Sequence, residues 1–183
     1  LTETGDHSEK LVPALEVALK ECGLTLPQID RFITTSGPGS FTGLRIALAS
    51  LKAFSYVKRV PIEMVSGSEA RALQWVKTQP EIVWDEIHVM TYITSERFVS
   101  AHLKINSDNS LTFISERSYS DWSFLRTDKS CVVLLDERIA KDVVPSNPSV
   151  HVVKFPLHAE YLAETFLQAS TRKSYKSISD WVQ

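Results

Sequence analysis

The sequence is poor in cysteine, has no long apolar run and carries almost no net charge. Its two cysteines, Cys22 and Cys131, lie far apart, which argues against a zinc-binding cysteine pair or a disulfide framework and indicates a reducing cytoplasm. No stretch approaches about 20 uninterrupted apolar residues, so no membrane span is expected. Lys and Arg number 20 against 22 Asp and Glu, which excludes a chain that coats nucleic acid by charge alone.

The first part of the 183 residues alternates between helical and strand-like patterns. Apolar spacing predicts a helix over 8–22, with Asp6 or Ser8 as its cap, Pro13 near its first turn and Gly23 as its stop. The pattern continues with strand 31–35, helix 44–57, strand 60–65 and a helix capped by Ser66 or Ser68 and running through Val76. Strands that alternate with helices indicate a parallel sheet.

The second part begins with three strand-like runs and then alternates again. The predicted elements are strands 87–93, 97–105 and 110–117, a weak helix 120–126, strand 131–135, a short helix from Asp136, strand 150–155 and a helix over about 156–170. The polar residues 106–109 suit a hairpin between the second and third strands. This order is that of a ribonuclease H-like unit, from which the actin-like, two-lobed α/β folds are built.

The two parts are predicted to be two lobes, residues 1–80 and 81–183, with the last helix packing back between them. The first lobe lacks the three opening strands of the second, and a two-stranded parallel sheet cannot cover its own faces. We therefore expect the first lobe to be truncated at its N-terminus, by roughly 30–45 residues on typical strand and turn lengths.

A glycine-rich segment joins the strand 31–35 to the helix 44–57. Its residues are Gly37, Pro38, Gly39, Ser40, Phe41, Thr42 and Gly43. Ser40 or Thr42 can cap the helix, whose free N–H groups would suit a phosphate. The segment lacks the Lys-[Ser/Thr] of a Walker loop and the Gly-x-Gly-x-x-Gly spacing, so a tight strand–helix connection is favoured over an anion site.

The helix 44–57 is apolar almost all round. Two apolar sides leave only Arg45 and Lys52 as a polar strip, and Ala49, Ser50 and Ala53 would let another helix approach closely. Either the sheet and a neighbouring helix cover both sides, or part of this surface meets a second protein. Arg45, Lys52, Lys58 and Arg59 are more simply a solvated strip than a contact with RNA phosphates.

Two segments of the first part carry a distinctive sequence. Residues 6–13 read DHSEKLVP and residues 37–46 read GPGSFTGLRI. These two segments and their separation resemble the TsaB (YeaZ) family of bacterial tRNA threonylcarbamoyladenosine biosynthesis proteins. The resemblance is strong over residues 1–70 and weak beyond, where the family's Asp-Ala-Arg element is not evident in residues 91–97, although residues 156–160 look like its late helix start.

The resemblance implies a non-catalytic subunit with an actin-like fold and a degenerate nucleotide site. Its implied partner is TsaD, which transfers the threonylcarbamoyl group to the adenosine beside the tRNA anticodon; TsaE joins through the complex, tRNA is contacted indirectly, and a homodimer forms in isolation. No cofactor and no membrane contact are implied, and weak nucleotide binding at a subunit interface stays open. The rival interpretation is an ATP-binding enzyme or peptidase of the actin-like superfamily.

The first two helices form the partner-binding bundle in this family. Carried onto this chain, the implied interface residues are Leu11, Pro13, Ala14, Val17, Arg45, Ile46, Leu48, Ala49, Ala53 and Tyr56.

No metal site and no catalytic residue are predicted. TsaD-like proteins hold a metal through a His-x-x-x-His pair, and the five histidines here contain no such pair. No nucleophile-elbow sequence is present, so a Ser-His-Asp triad has no support. His7, His88, His102, His151 and His158 are expected to be isolated surface or structural groups.

Overall fold

A computed structural model describes residues 7–79, 81, 84–95, 97–125, 130–139, 144 and 148–171. The helices are α1 (His7–Glu21), α2 (Phe41–Lys58), α3 (Gly67–Thr78) and α4 (Glu160–Thr171), with one turn of 3₁₀ helix at Leu26–Gln28. The strands are β1 (Phe32–Thr35), β2 (Ile62–Val65), β3 (Glu86–Thr94), β4 (Arg97–Ile105), β5 (Leu111–Tyr119), β6 (Cys131–Leu135) and β7 (Val150–Lys154). None of the described helices is both long and apolar enough to cross a membrane.

The strands form two sheets. β1 and β2 pair in parallel, with Phe32 opposite Ile62. The other sheet has the order β5-β4-β3-β6-β7, in which β3, β4 and β5 are antiparallel neighbours and β3, β6 and β7 are parallel. Helix α4 lies against α3 and against both strands of the small sheet, so the last described helix contacts elements of the first part of the chain.

The core lies on both faces of the five-stranded sheet, because its central strands are covered on each side. Every residue of β6 is buried. One face packs against α3 through Ala72, Trp75 and Val76, and the other against the segment after β5 and Ile139 and Val144. The small sheet is less enclosed along β1, where only Phe32 is buried, than along β2, where Ile62, Glu63 and Val65 are buried.

The structure confirms the α-β-α-β-α order of the first part and the strands of the second. Ser40 and Ser66, not Thr42 and Ser68, cap α2 and α3. Gly23 ends α1 with φ +65°, as predicted. The suggested cap Asp6 lies outside the described residues, and Ser8 is inside the helix.

Some predicted boundaries were wrong. Helix α1 begins at His7, so Pro13 lies in its interior and not in its first turn. The helix tolerates the loss of the backbone hydrogen bond that proline cannot donate. Residues 120–125 are turns, because the carboxylate of Asp121 accepts the Ser123 N–H at 2.9 Å. The last helix starts at Glu160 rather than at residue 156.

The short helix predicted from Asp136 is a turn over the described residues 137–139, and the rest of that segment lies outside the described part of the chain. The division into lobes near residue 80 stays a prediction. Contacts between α3 and α4 cross it: Gln74 donates to the Pro156 carbonyl at 3.1 Å and accepts from the His158 N–H at 2.8 Å.

Candidate partner-binding surface

The glycine-rich turn is held by backbone contacts to β2 and α3. Gly37 has φ +104°, a conformation that only glycine adopts without strain, and the Gly37–Pro38 peptide is cis. The Gly37 N–H donates to the Thr35 hydroxyl at 3.0 Å, and the Gly37 carbonyl accepts from the Gly67 N–H at 2.9 Å. The turn is therefore packed onto the start of α3.

The start of α2 satisfies one of its own free N–H groups. The Ser40 hydroxyl accepts from the Gly43 N–H at 3.3 Å, and the Ser40 carbonyl accepts from the Leu44 N–H at 2.9 Å. The segment thus forms a tight strand–helix connection, and its expected lack of an anion site stays a prediction.

Gly67 is a sensitive position in this packing. A Cβ added there would lie 2.7 Å from the Thr35 Oγ1, closer than side chains tolerate. We expect Gly67→Ala to lower the free energy of unfolding by about 1–3 kcal/mol, measured by urea denaturation.

The matched test is a double-variant cycle. Adding Thr35→Ala removes the clashing oxygen, so the double variant should lose less stability than the sum of the single variants, whereas Thr35→Ser keeps the hydroxyl and should give no relief. If Thr35→Ala and Thr35→Ser changed the cost of Gly67→Ala by the same amount, the steric explanation would be contradicted.

Helix α2 leaves much of its apolar surface uncovered. None of its 18 residues, all of them described, is buried. Phe41 is 73% exposed, Tyr56 is 87% exposed and Val57 is 79% exposed. The side that carries Leu44, Leu48 and Leu51 is half-buried within the chain, so the molecule covers one apolar side of α2 and not the other.

Helix α1 packs beside α2 and also exposes apolar side chains. Val12 is 37% exposed and Val17 is 54% exposed. Between the two helices and the 3₁₀ turn lies a groove of about 390 Å³. It is lined by Val12, Leu15, Glu16, Leu19, Lys20, Leu24, Thr25, Leu26 and Phe54.

The structure places the ten predicted interface residues on these two helices in two classes. Six are exposed: Pro13, Val17, Arg45, Ala49, Ala53 and Tyr56. Four are half-buried: Leu11, Ala14, Ile46 and Leu48. The six exposed residues, together with Phe41 and Val57, are called the helical surface below. Their role in binding stays a prediction.

The basic residues near α2 are partly engaged within the chain. The Arg45 guanidinium lies over the Phe41 ring, 5.3 Å from its centre, and Lys58 donates to the Pro27 carbonyl at 2.7 Å. Arg59 takes a left-handed conformation, with φ 55°, and ends α2. Lys58 and Arg59 therefore have structural roles, Lys58 through its hydrogen bond to Pro27 and Arg59 through its backbone conformation at the end of α2.

A second polar group lies where β3 and β6 end. Arg138 donates to Asp136 at 2.8 Å, and Arg71 donates to the Met90 carbonyl at 3.3 Å. Burial acts to raise the pKa of Asp136, but the hydrogen bonds and charge of Arg138 hold that pKa below its usual value. The Asp136 carboxylate is therefore ionised and already paired.

Sequence reasoning missed a cluster on the sheet. His88 and His102 lie opposite each other on β3 and β4 with stacked rings, 4.4 Å between ring centres, and the His102 Nε2 is 2.9 Å from the Glu86 Oε2. Burial and, to a smaller extent, the neighbouring His102 together lower the pKa of His88 to about 4, although the Glu86 carboxylate acts to raise it. The expectation of isolated histidines is wrong for this pair. The signal available was their equal distance from Ser95, the centre of a hairpin.

The first part of the chain matches known proteins in sequence. Residues 4–84 match the family model described as "TsaD: tRNA N6-adenosine threonylcarbamoyltransferase". A tRNA N6-adenosine threonylcarbamoyltransferase of Caldicellulosiruptor bescii is 36% identical over 76 residues, covering 42% of this chain and 23% of that protein. The tRNA threonylcarbamoyladenosine biosynthesis protein TsaB of Bacillus subtilis is 31% identical over 67 residues, covering 37% and 29%. The chain thus spans less than a third of the length of these relatives.

The whole fold matches solved structures. A Pseudomonas aeruginosa protein described as similar to peptidase YeaZ superposes with a TM-score of 0.76 at 18% identity, covering 95% of this chain and 81% of that one. YeaZ from Pseudomonas aeruginosa gives a TM-score of 0.73, also at 18% identity, with 94% and 81% covered. At this identity the likeness establishes the fold, and it extends beyond the region of sequence similarity. Together with the family-model match over residues 4–84 and the similarity to TsaB of Bacillus subtilis, it confirms the predicted resemblance to TsaB (YeaZ) proteins and the α/β fold predicted from that resemblance.

Proposed function

We propose that this chain acts in tRNA threonylcarbamoyladenosine biosynthesis as a non-catalytic subunit that binds and orients TsaD through the helical surface. The observation that carries the proposal is α2: a helix with no buried residue that exposes Phe41, Tyr56 and Val57. Large apolar side chains exposed at both ends of one helix indicate a surface that another protein covers.

The composition of the helical surface suits a helix as partner. Ala49 and Ala53 are one turn apart on α2 and exposed, so a second helix could approach closely there. Tyr56, 87% exposed, offers a large ring with a polar tip, the kind of side chain that anchors interfaces. The family model named for threonylcarbamoyl transfer matches residues 4–84 of this chain, the part that contains α1 and α2.

Two features of the described residues support a binding role rather than chemistry. The glycine-rich turn has no adjacent lysine, and its Gly37 N–H is engaged by the Thr35 hydroxyl. Asp136, at the end of β6, is paired with Arg138 and is not a free base. The rival interpretation is an ATP-binding enzyme or peptidase, and the experiment must distinguish it from a non-catalytic subunit.

The remaining partners follow from the same surface. A second copy of this chain could cover the helical surface in the absence of TsaD, so homodimer and TsaD complex would exclude each other. TsaE and tRNA would be reached through TsaD. Weak nucleotide binding would belong to the interface, and the protein would act in the cytoplasm, where tRNA is modified.

The test is a reconstituted modification assay. Purified TsaD, TsaE, tRNA and threonylcarbamoyl-adenylate are incubated with and without this chain, and modified adenosine is quantified by mass spectrometry of digested tRNA. We expect modification to rise at least tenfold with the chain and to be absent with the chain alone.

Two control measurements distinguish the proposed non-catalytic subunit from an ATP-binding enzyme or peptidase. Calorimetric titration of the chain with ATP, alone and with TsaD, measures whether nucleotide binding needs the complex. ATP turnover or threonylcarbamoyl transfer by the chain alone would contradict the proposal, as would TsaD activity unaffected by its addition.

A further inference from the structure

Three metal-ligating side chains converge on one face of the five-stranded sheet. Glu86, His88 and His102 each offer a ligand atom, and these atoms all lie within 4.8 Å of one another. Glu86 and His88 are buried and His102 is half-buried. This is an unusual place for three titratable groups, since the partners of Glu86 and His88 on β6 are the buried Cys131 and Val133.

The strand register holds the cluster together. Glu86 and His88 are two residues apart on β3 and therefore share a face, and His102 is the direct partner of His88 on β4. β3 is the central strand of the sheet, paired on both sides. The backbone positions of the three residues are thus fixed by the fold rather than by a loop.

Ser100 and Phe124 lie beside the His88 imidazole. The His88 Nδ1 lies 3.4 Å from the Ser100 hydroxyl, and the Phe124 ring lies 5.5 Å from the His88 ring. A hydrogen bond to one ring nitrogen sets which nitrogen is left as a ligand, as in known metal sites. The opposite side is more open, because His102 faces Ser115 on the edge strand β5 and keeps a 22% exposed side chain.

We propose that Glu86, His88 and His102 form a Zn²⁺ site that joins β3 to β4. Two imidazoles and one carboxylate are a donor set that zinc uses, and three protein ligands leave the fourth tetrahedral position to water. Ligands about 2.0–2.2 Å from a common ion lie about 3.3–3.6 Å apart, so the ligand atoms, now within 4.8 Å of one another, would have to move closer. The two imidazole rings would also have to turn out of their stacked arrangement so that one nitrogen of each points at the ion. The ion would replace the proton shared by His102 and Glu86.

The location indicates a structural role. Glu86 is the first residue of β3, whereas the glycine-rich turn and Asp136 follow the carboxyl ends of β1 and β6. The ion would therefore tie together the two strands at the base of the hairpin, away from those groups. Binding to the folded state alone raises stability.

The test is a zinc titration of chelator-treated chain in the presence of a competing chromophoric chelator. We expect one equivalent to bind and the melting temperature to rise. Replacing zinc by Co²⁺ should give the visible absorption bands of a four-coordinate ion, which report the ligand geometry directly. Glu86→Gln and His102→Ala should each weaken binding at least about 100-fold.

The matched control is His158→Ala, which removes an exposed imidazole elsewhere in the chain and should leave the affinity unchanged. The assignment would be overturned if the wild-type chain bound no zinc. It would also be overturned if His158→Ala lowered the zinc affinity as much as Glu86→Gln and His102→Ala do. Circular dichroism of each variant verifies folding, and the Co²⁺ spectrum of the wild type decides the ligand geometry without any variant.

Discussion

Ala53→Arg is expected to abolish stable association with TsaD. Ala53 is exposed on α2, one turn from Ala49 and close to Tyr56 on the same side. An arginine there would hold a second helix away and would bury a charge with no partner, a loss typically of several kcal/mol in an interface. We expect the dissociation constant measured by titration calorimetry to rise at least about 100-fold.

The fold of this variant should be unaffected, because alanine and arginine are both good helix formers and exposed positions tolerate substitution within about 0.5 kcal/mol. Leu48→Asp tests the same helix less cleanly, since Leu48 is half-buried within the chain. The matched control is Ser107→Arg, which adds the same side chain to the exposed hairpin between β4 and β5. Unchanged binding by a folded Ala53→Arg chain, or equal loss in Ser107→Arg, would show that α2 is not the contact.

The elements that sequence analysis predicted well are those whose pattern is local. Apolar spacing located α1 and α2, and the strand 131–135 matches β6 residue for residue. Predictions failed where a side chain competes for the backbone hydrogen bonds of a helix, or where packing against a distant residue sets the start of a helix. Asp121 forms a turn within a segment that reads as a weak helix, and α4 begins after residues whose backbone bonds to Gln74 instead.

The helical surface was also predicted only where the pattern is local. A helical wheel identified two apolar sides on α2, but not which side the chain itself would cover; the structure shows Leu44 and Leu48 half-buried and Tyr56 exposed. The pair of His88 and His102 depends on the register of two strands, which no helix-like spacing reveals. A motif search for adjacent histidines therefore could not find it.

Leu134→Ala is expected to lower the free energy of unfolding by about 3 kcal/mol. Leu134 is fully buried in β6, the strand between β3 and β7, and belongs to the cluster that includes Ile87, Val89 and Trp75. Truncation removes apolar contacts and leaves a cavity that neighbouring strands cannot close. For a chain of this size the melting temperature should fall by about 6–12 °C, measured by calorimetry.

The control for this change is Leu167→Ala, at a 61% exposed position on α4, which should cost less than about 0.5 kcal/mol. Leu134 lies in the five-stranded sheet, whereas the helical surface belongs to α1 and α2, so folded Leu134→Ala chain should bind TsaD with unchanged affinity. Ala53→Arg is expected to show the reverse, with lost binding and unchanged stability. Since the family match ends at residue 84, this pair of variants separates what the second part contributes to folding from what the first part contributes to binding. If Leu134→Ala weakened binding as much as Ala53→Arg while remaining folded, the contact with TsaD would have to extend to the five-stranded sheet.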